Sequence, residues 1–199
     1  MPPNLDDASV FEGMIQAASP ASLLAVIEMR MGKFLQGRLS PEDIYQEAIE
    51  HAWRDRGGFS WNGPKSFRRW LLAIIDNRLR DAADREYALK RGGGRHAISL
   101  NGANNGVLPS PILDSVTPSR LAVAREQAAA IRAALDTLHA DVREVVRLRV
   151  LEQVPVEEVA AHLGIGVSAV RHRLARGAAA YRQLLVSQLA SRSATNRTI

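Results

Sequence analysis

Ser168, Arg171, His172 and Arg176 are spaced so that a helix gathers them into one cluster of hydrogen-bond donors near the end of the chain. Guanidinium forks match phosphate oxygens and the O6/N7 edge of guanine, and Ser and His add adaptable partners. The element that must hold them runs from Val156 to Tyr181. Val156, Val159, Ala160 and Leu163 recur at helical spacing, Gly164 supplies the positive φ that ends a helix, and a second periodic run begins within a few residues. This pattern predicts a helix-turn-helix. On its second helix Val167, Val170, Leu174, Tyr181 and Leu185 line one face. Ser168, His172 and Ala175 lie opposite, flanked by Arg171 and Arg176, on a face suited to a major groove.

Many helical hairpins with a Leu-Gly turn touch no nucleic acid, and charge separates the two cases. After Glu158 the sequence has no acidic residue, whereas Arg171, Arg173, Arg176, Arg182, Arg192 and Arg197 all follow. A solvated face mixes both signs; a run of one sign is the footprint of phosphate binding.

Two further groups carry chemistry nearer the N-terminus. Asp43, Gln46, Glu47 and Glu50 share one face of a helix that starts at Ser40, with Pro41 in its first turn and Asp43 completing a variant of the capping box. Tyr45, Ala48, Ile49, Ala52 and Trp53 form its apolar stripe. An acidic strip in a protein of net charge +5 is either a solvated face or a docking surface for a basic partner that is not DNA. The loop RGGFSWNGPK, Arg56 to Lys65, holds Phe59 and Trp61. Such rings are either folded back on the domain or open to stack on an unpaired base. Beyond it a helix from Ser66 turns Phe67, Trp70, Leu71, Ile74 and Ile75 inward and Arg69, Asp76, Asn77 and Arg80 outward.

The 199 residues organise into two small helical blocks. The expected boundaries are an N-terminal extension over 1–20, a first domain over 21–89, a linker over 90–118 rich in Gly, Asn, Ser and Pro, a second domain over 119–189 and a disordered tail over 190–199. The fold class is all-α. No apolar run approaches the roughly 20 residues of a spanning helix, and the acidic start MPPNLDD is unlike a signal peptide, so no membrane association and a cytoplasmic location are expected. Without cysteine, and with five histidines lacking ligand spacing, no metal or other cofactor is expected.

Together these segments resemble an extracytoplasmic-function sigma factor of bacterial RNA polymerase, within the sigma-70 family. SPEDIYQEAIEHAW is similar to the polymerase-docking helix, SFRRWLLAIIDNRLRDAADR to the promoter-melting and minus-10 recognition helix, and LDTLHADVREVVRLRVLEQVPVEEVAAHLGIGVSAVRHRLARGAAAYRQLL to the minus-35 recognition domain. The resemblance implies that Asp43, Gln46, Glu47 and Glu50 bind core polymerase. It implies minus-10 contacts from Phe59, Trp61, Asn62, Arg69, Asn77 and Arg80, and minus-35 contacts from Arg149, Ser168, Arg171, His172, Arg173 and Arg176. The implied partners are core RNA polymerase, through the clamp of its largest subunit and its flap, and promoter DNA. Members are often held by an anti-sigma factor, though no residue here identifies one. The chain departs from the family at Pro155 and Gly166, where two caps lose a side-chain acceptor, and at Ala82, Ala83 and Asp84, a stretch the family makes more basic. The alternative is a stand-alone helix-turn-helix regulator, which needs a dimer interface and has no use for the acidic strip. An enzyme is not expected: Glu157 and Glu158 diverge on their helix, and GxSxG, Walker and HExxH motifs are absent.

Overall fold

A computed structural model describes residues 3–63, 65–90 and 117–195. All regular structure among them is helical: α1 (Ala8–Ala17), α2 (Pro20–Arg30), α3 (Gly32–Gln36), α4 (Pro41–Asp55), α5 (Ser66–Lys90), α6 (Pro118–Thr137), α7 (Ala140–Val146), α8 (Val156–Leu163) and α9 (Val167–Thr195). The chain divides into two compact units, one of Met1–Ser19 with Ile27–Leu121 and one of Pro20–Val26 with Ala122–Ile199. Most of the expected linker, residues 91–116, lies outside the described residues. No single helix among them is long and apolar enough to cross a membrane. The apolar residues of α1 and α2, such as Phe11, Ile15, Leu23 and Leu24, are buried in the fold.

In the first unit, the capping box at Ser40 forms: Ser40 Oγ accepts from the Asp43 amide at 3.1 Å, and the Asp43 carboxylate accepts from the Ser40 amide at 3.3 Å. Such a cap contributes about 1 kcal/mol. It sets the phase of α4 so that Ile44, Tyr45, Ala48, Ile49 and Ala52 are buried, against α5 residues Phe67, Leu71, Leu72, Ile74 and Ile75. Trp53 and Trp70, expected in the core, are half-buried at its edge.

In the second unit, Val145 and Leu148 join Val159, Ala160 and Val170 in the core that holds the helix-turn-helix. Gly164 adopts φ 64°, as the sequence requires, and its turn closes with the Ile165 amide donating to the Ala160 carbonyl at 3.1 Å. Gly177 answers a different need. A Cβ there would stand 2.6 Å from Val146 Cγ2 and 3.0 Å from Val142 Cβ, so only glycine lets α9 cross α7 this closely. The tail expected to be disordered from residue 190 continues α9 as far as Thr195, because ASRSAT holds no Gly or Pro to stop a helix already propagating.

Candidate nucleic-acid interface

The helix-turn-helix presents its second helix as the sequence predicts. Ser168, Arg171, His172, Ala175 and Arg176 are exposed and Arg173 is half-buried, while Val170 beneath them is fully buried. Pro155 makes no side-chain cap, and the Pro155 and Gly166 carbonyls accept the first helical hydrogen bonds, from Val159 at 3.0 Å and Val170 at 3.1 Å. These are the ordinary first-turn bonds of each helix and do not replace the lost side-chain acceptors.

Arg149 is placed differently. Its guanidinium donates to the Val154 carbonyl, tying the turn before α8. Arg149 is half-buried there, with that bond using one of its donors. Arg176 lies 3.7 Å from Asp141 of α7. Asp141 also accepts from His139 Nδ1 at 2.6 Å, and this hydrogen bond, ahead of the nearby arginine charges, holds its carboxyl below the usual range.

Between α7 and α8 is a charged knot that sequence reading missed. Arg147 pairs with both Glu144 and Glu152, and Glu152 is only 4% exposed. Arg147 begins a wide helical turn, Arg147–Leu151, that swings the chain from α7 toward α8. Glu144 and Arg147 are an ordinary i,i+3 pair, but Glu152 lies five residues beyond Arg147, off any regular helix face, so periodicity passed over the knot.

In the first unit the acidic strip faces outward, and part of it has internal partners. Asp43 is exposed and engaged in its capping box, Gln46 is half-buried, Glu47 lies 3.4 Å from Arg85, and Glu50 lies 3.8 Å from Arg54. These are exposed pairs, worth at most about 1 kcal/mol each, so a better partner can displace them. On α5, Arg69, Asn77 and Arg80 are exposed along one side, whereas Asp76 turns into an ion pair with Arg30.

The aromatic loop is folded back. Phe59 packs on Trp70 at a centroid distance of 5.0 Å, on Phe67 at 5.7 Å and on Trp61 at 6.5 Å. Trp61 is half-buried at the outer end of this cluster and Asn62 is exposed. The Asn62 amide donates to Ser66 Oγ at 3.2 Å, and that hydroxyl donates to the Gly63 carbonyl at 2.7 Å, so the loop is closed against the start of α5. The structure therefore brings Trp61, Asn62 and Arg69 to the N-terminal end of α5, with Asn77 and Arg80 further along it. Phe59, half-buried like Trp61, supports that surface through Phe67 and Trp70.

Comparison with known proteins fits these two units. Residues 27–88 match the family model for Sigma-70 region 2, and residues 128–180 match that for Sigma-70, region 4. The chain is also 32% identical over 149 residues to Probable RNA polymerase sigma factor RfaY of Xanthomonas campestris pv. campestris. That alignment spans 74% of this chain and 34% of the relative, so the chain spans about a third of the relative's length.

Proposed function

The chain belongs to the sigma-70 family, as a member of its extracytoplasmic-function type, and we propose that it is a promoter-specificity factor for bacterial RNA polymerase, acting in the cytoplasm. It contributes recognition, and the polymerase contributes the chemistry. The observation that carries the reading is that the two matched segments, in the family's order, present opposite charge. The 43–50 face of α4 is acidic, and the 168–176 face of α9 is basic.

In this reading α4 docks on the clamp of the polymerase's largest subunit through Asp43, Gln46, Glu47 and Glu50. The second unit grips the minus-35 element with Ser168, Arg171, His172, Arg173 and Arg176, and also meets the flap. Trp61 and Asn62 take an unpaired minus-10 base beside Arg69, Asn77 and Arg80. The segment over 90–118 sets the spacing between the two promoter elements.

Magnitudes make the polymerase necessary. Opening DNA costs about 1.4 kcal/mol per base-pair step, whereas stacking one base on an aromatic ring returns roughly 1 to 3 kcal/mol. One tryptophan cannot hold several opened pairs, so contacts across the docking face must supply the remainder.

The test is co-elution of the full chain with sigma-free core polymerase on size exclusion. The native chain is expected to co-elute stoichiometrically, and Asp43→Arg with Glu47→Arg to remain folded and elute alone. Co-elution unchanged in the variant removes the docking assignment. A native chain that ignores polymerase yet shifts DNA as a folded dimer is instead the stand-alone regulator.

A further inference from the structure

We propose that the N-terminal segment from Asp6 to Ala18, outside the residues matched by either family model, is a brace that positions the base-capturing loop, with Phe11 as its positioning residue. Three ties from this short segment converge on residues 53–68. Phe11 is fully buried, edge-on to Trp53 at 5.2 Å and to Phe67 at 5.6 Å. Asp6 pairs with Arg56 at 3.0 Å. The Ala18 carbonyl accepts from Arg68, a side chain only 5% exposed.

Two of these ties lead to the same ring. From Phe11 the contacts pass through Phe67 to Phe59, and from Phe59 to Trp61. From Asp6 they pass through Arg56, whose guanidinium lies 3.9 Å over Trp53 and donates to the Trp53 carbonyl at 2.6 Å, and whose own carbonyl accepts from the Phe59 amide at 3.1 Å. The third tie fixes the first turn of α5, where the loop ends. A helix that only filled the core would need apolar contacts anywhere along α4 and α5; the Asp6–Ala18 segment instead ties to Arg56 and Arg68, at the two ends of one loop, and reaches Phe59 through Phe67. The Asp6 pair is exposed and the weaker tie, so Phe11 carries most of the effect.

The inference rests on the reading of Trp61 as a base-stacking residue, and one experiment separates the two. Holoenzyme made with the full chain is measured on a forked DNA selected by it from a random pool, and on the same sequence fully paired. Hydrogen exchange is followed on the free chain. Phe11→Leu is expected to speed exchange of the Phe59 and Asn62 amides while leaving those of Val159 and Val170 unchanged. It is also expected to weaken fork binding about tenfold with little change on the paired duplex. Asp6→Asn, a surface change that spares the core, is expected to do the same at Phe59 to a smaller degree.

Exchange that stays constant in the loop, or that rises evenly over α4 and α5, overturns the brace and returns α1 to ordinary core. Fork binding lost in Trp61→Ala but kept in Phe11→Leu also overturns it, leaving the capture reading intact. Loop exchange raised by Phe11→Leu with fork binding indifferent to Trp61→Ala sustains the brace and removes the capture reading.

Discussion

The two units solve opposite electrostatic problems. The acidic strip of the first unit is partly matched within its own chain, Glu47 by Arg85 and Glu50 by Arg54. Among the described residues, the recognition face of the second unit has one carboxylate within ion-pair distance, Asp141 beside Arg176. A protein-docking face can exchange weak internal partners for external ones at small cost. A DNA-reading face gains from charge left unbalanced, because phosphate neutralisation with counterion release supplies much of its affinity. The foundations differ as well. The first unit fixes its loop with edge-on and tilted aromatic rings, and the second fixes its helix with a buried ion knot and a glycine crossing.

The strongest way to break this contrast is at the knot. Arg147→Ala removes the cation that pairs with buried Glu152 and should destabilise the second unit by about 3 to 5 kcal/mol. All three tryptophans lie in the first unit, so their fluorescence should report an unchanged transition while hydrogen exchange across α8 and α9 accelerates. A shift of the tryptophan transition by the same amount would mean that the foundations are not separate.

Gly177→Ala probes the same foundation through packing. The added methyl meets Val146 and Val142, and overpacking of this kind costs about 1 to 3 kcal/mol. Chemical denaturation should show that loss, with DNA affinity falling only in proportion to the unfolded fraction. Unchanged stability would show that α7 can move away from α9.

On the recognition face, Arg171→Ala should cost roughly 1 to 3 kcal/mol at one base pair if the guanidinium reads a guanine edge, with other sequences little affected. Arg176→Ala should cost less, since Asp141 already draws on that guanidinium. Binding measured over a panel of single-base variants decides this. A uniform loss with a shallower salt slope would make both side chains phosphate clamps.

What the sequence disclosed, and what it withheld, follows from the same physics. The helix-turn-helix was legible because its apolar period, its Gly164 turn and its one-signed charge are all local. The Ser40 cap was legible for the same reason. The fate of Phe59 was not, because its packing on Phe67 and Trp70 depends on how the loop returns to α5. Nor was the tie from Arg149, expected among the minus-35 contacts, to the Val154 carbonyl, because it depends on how the chain turns before α8. Phe11 lay in a segment with no motif, and only its contacts with Trp53 and Phe67 give it a role.

The smallest expected effect sharpens the contrast through pH. The hydrogen bond from Arg147, only partly offset by burial, holds the Glu144 carboxyl below its usual 4.5. Asp141 is depressed as well, first by the hydrogen bond with His139. A carboxylate with a depressed folded-state pKa contributes stability that is fully present above its unfolded value and is lost as pH falls through the folded one. The second unit should therefore weaken progressively below about pH 4.5, and Glu144→Gln should flatten part of that fall. Because the Glu144 side chain keeps 38% of its surface in water, solvent screening should hold the difference to about 1 kcal/mol. An acid profile of the second unit that is identical in Glu144→Gln would place the acid sensitivity elsewhere, with Asp141 the next carboxylate to replace. A flattened profile would identify the Glu144–Arg147 pair as one source of the second unit's acid sensitivity.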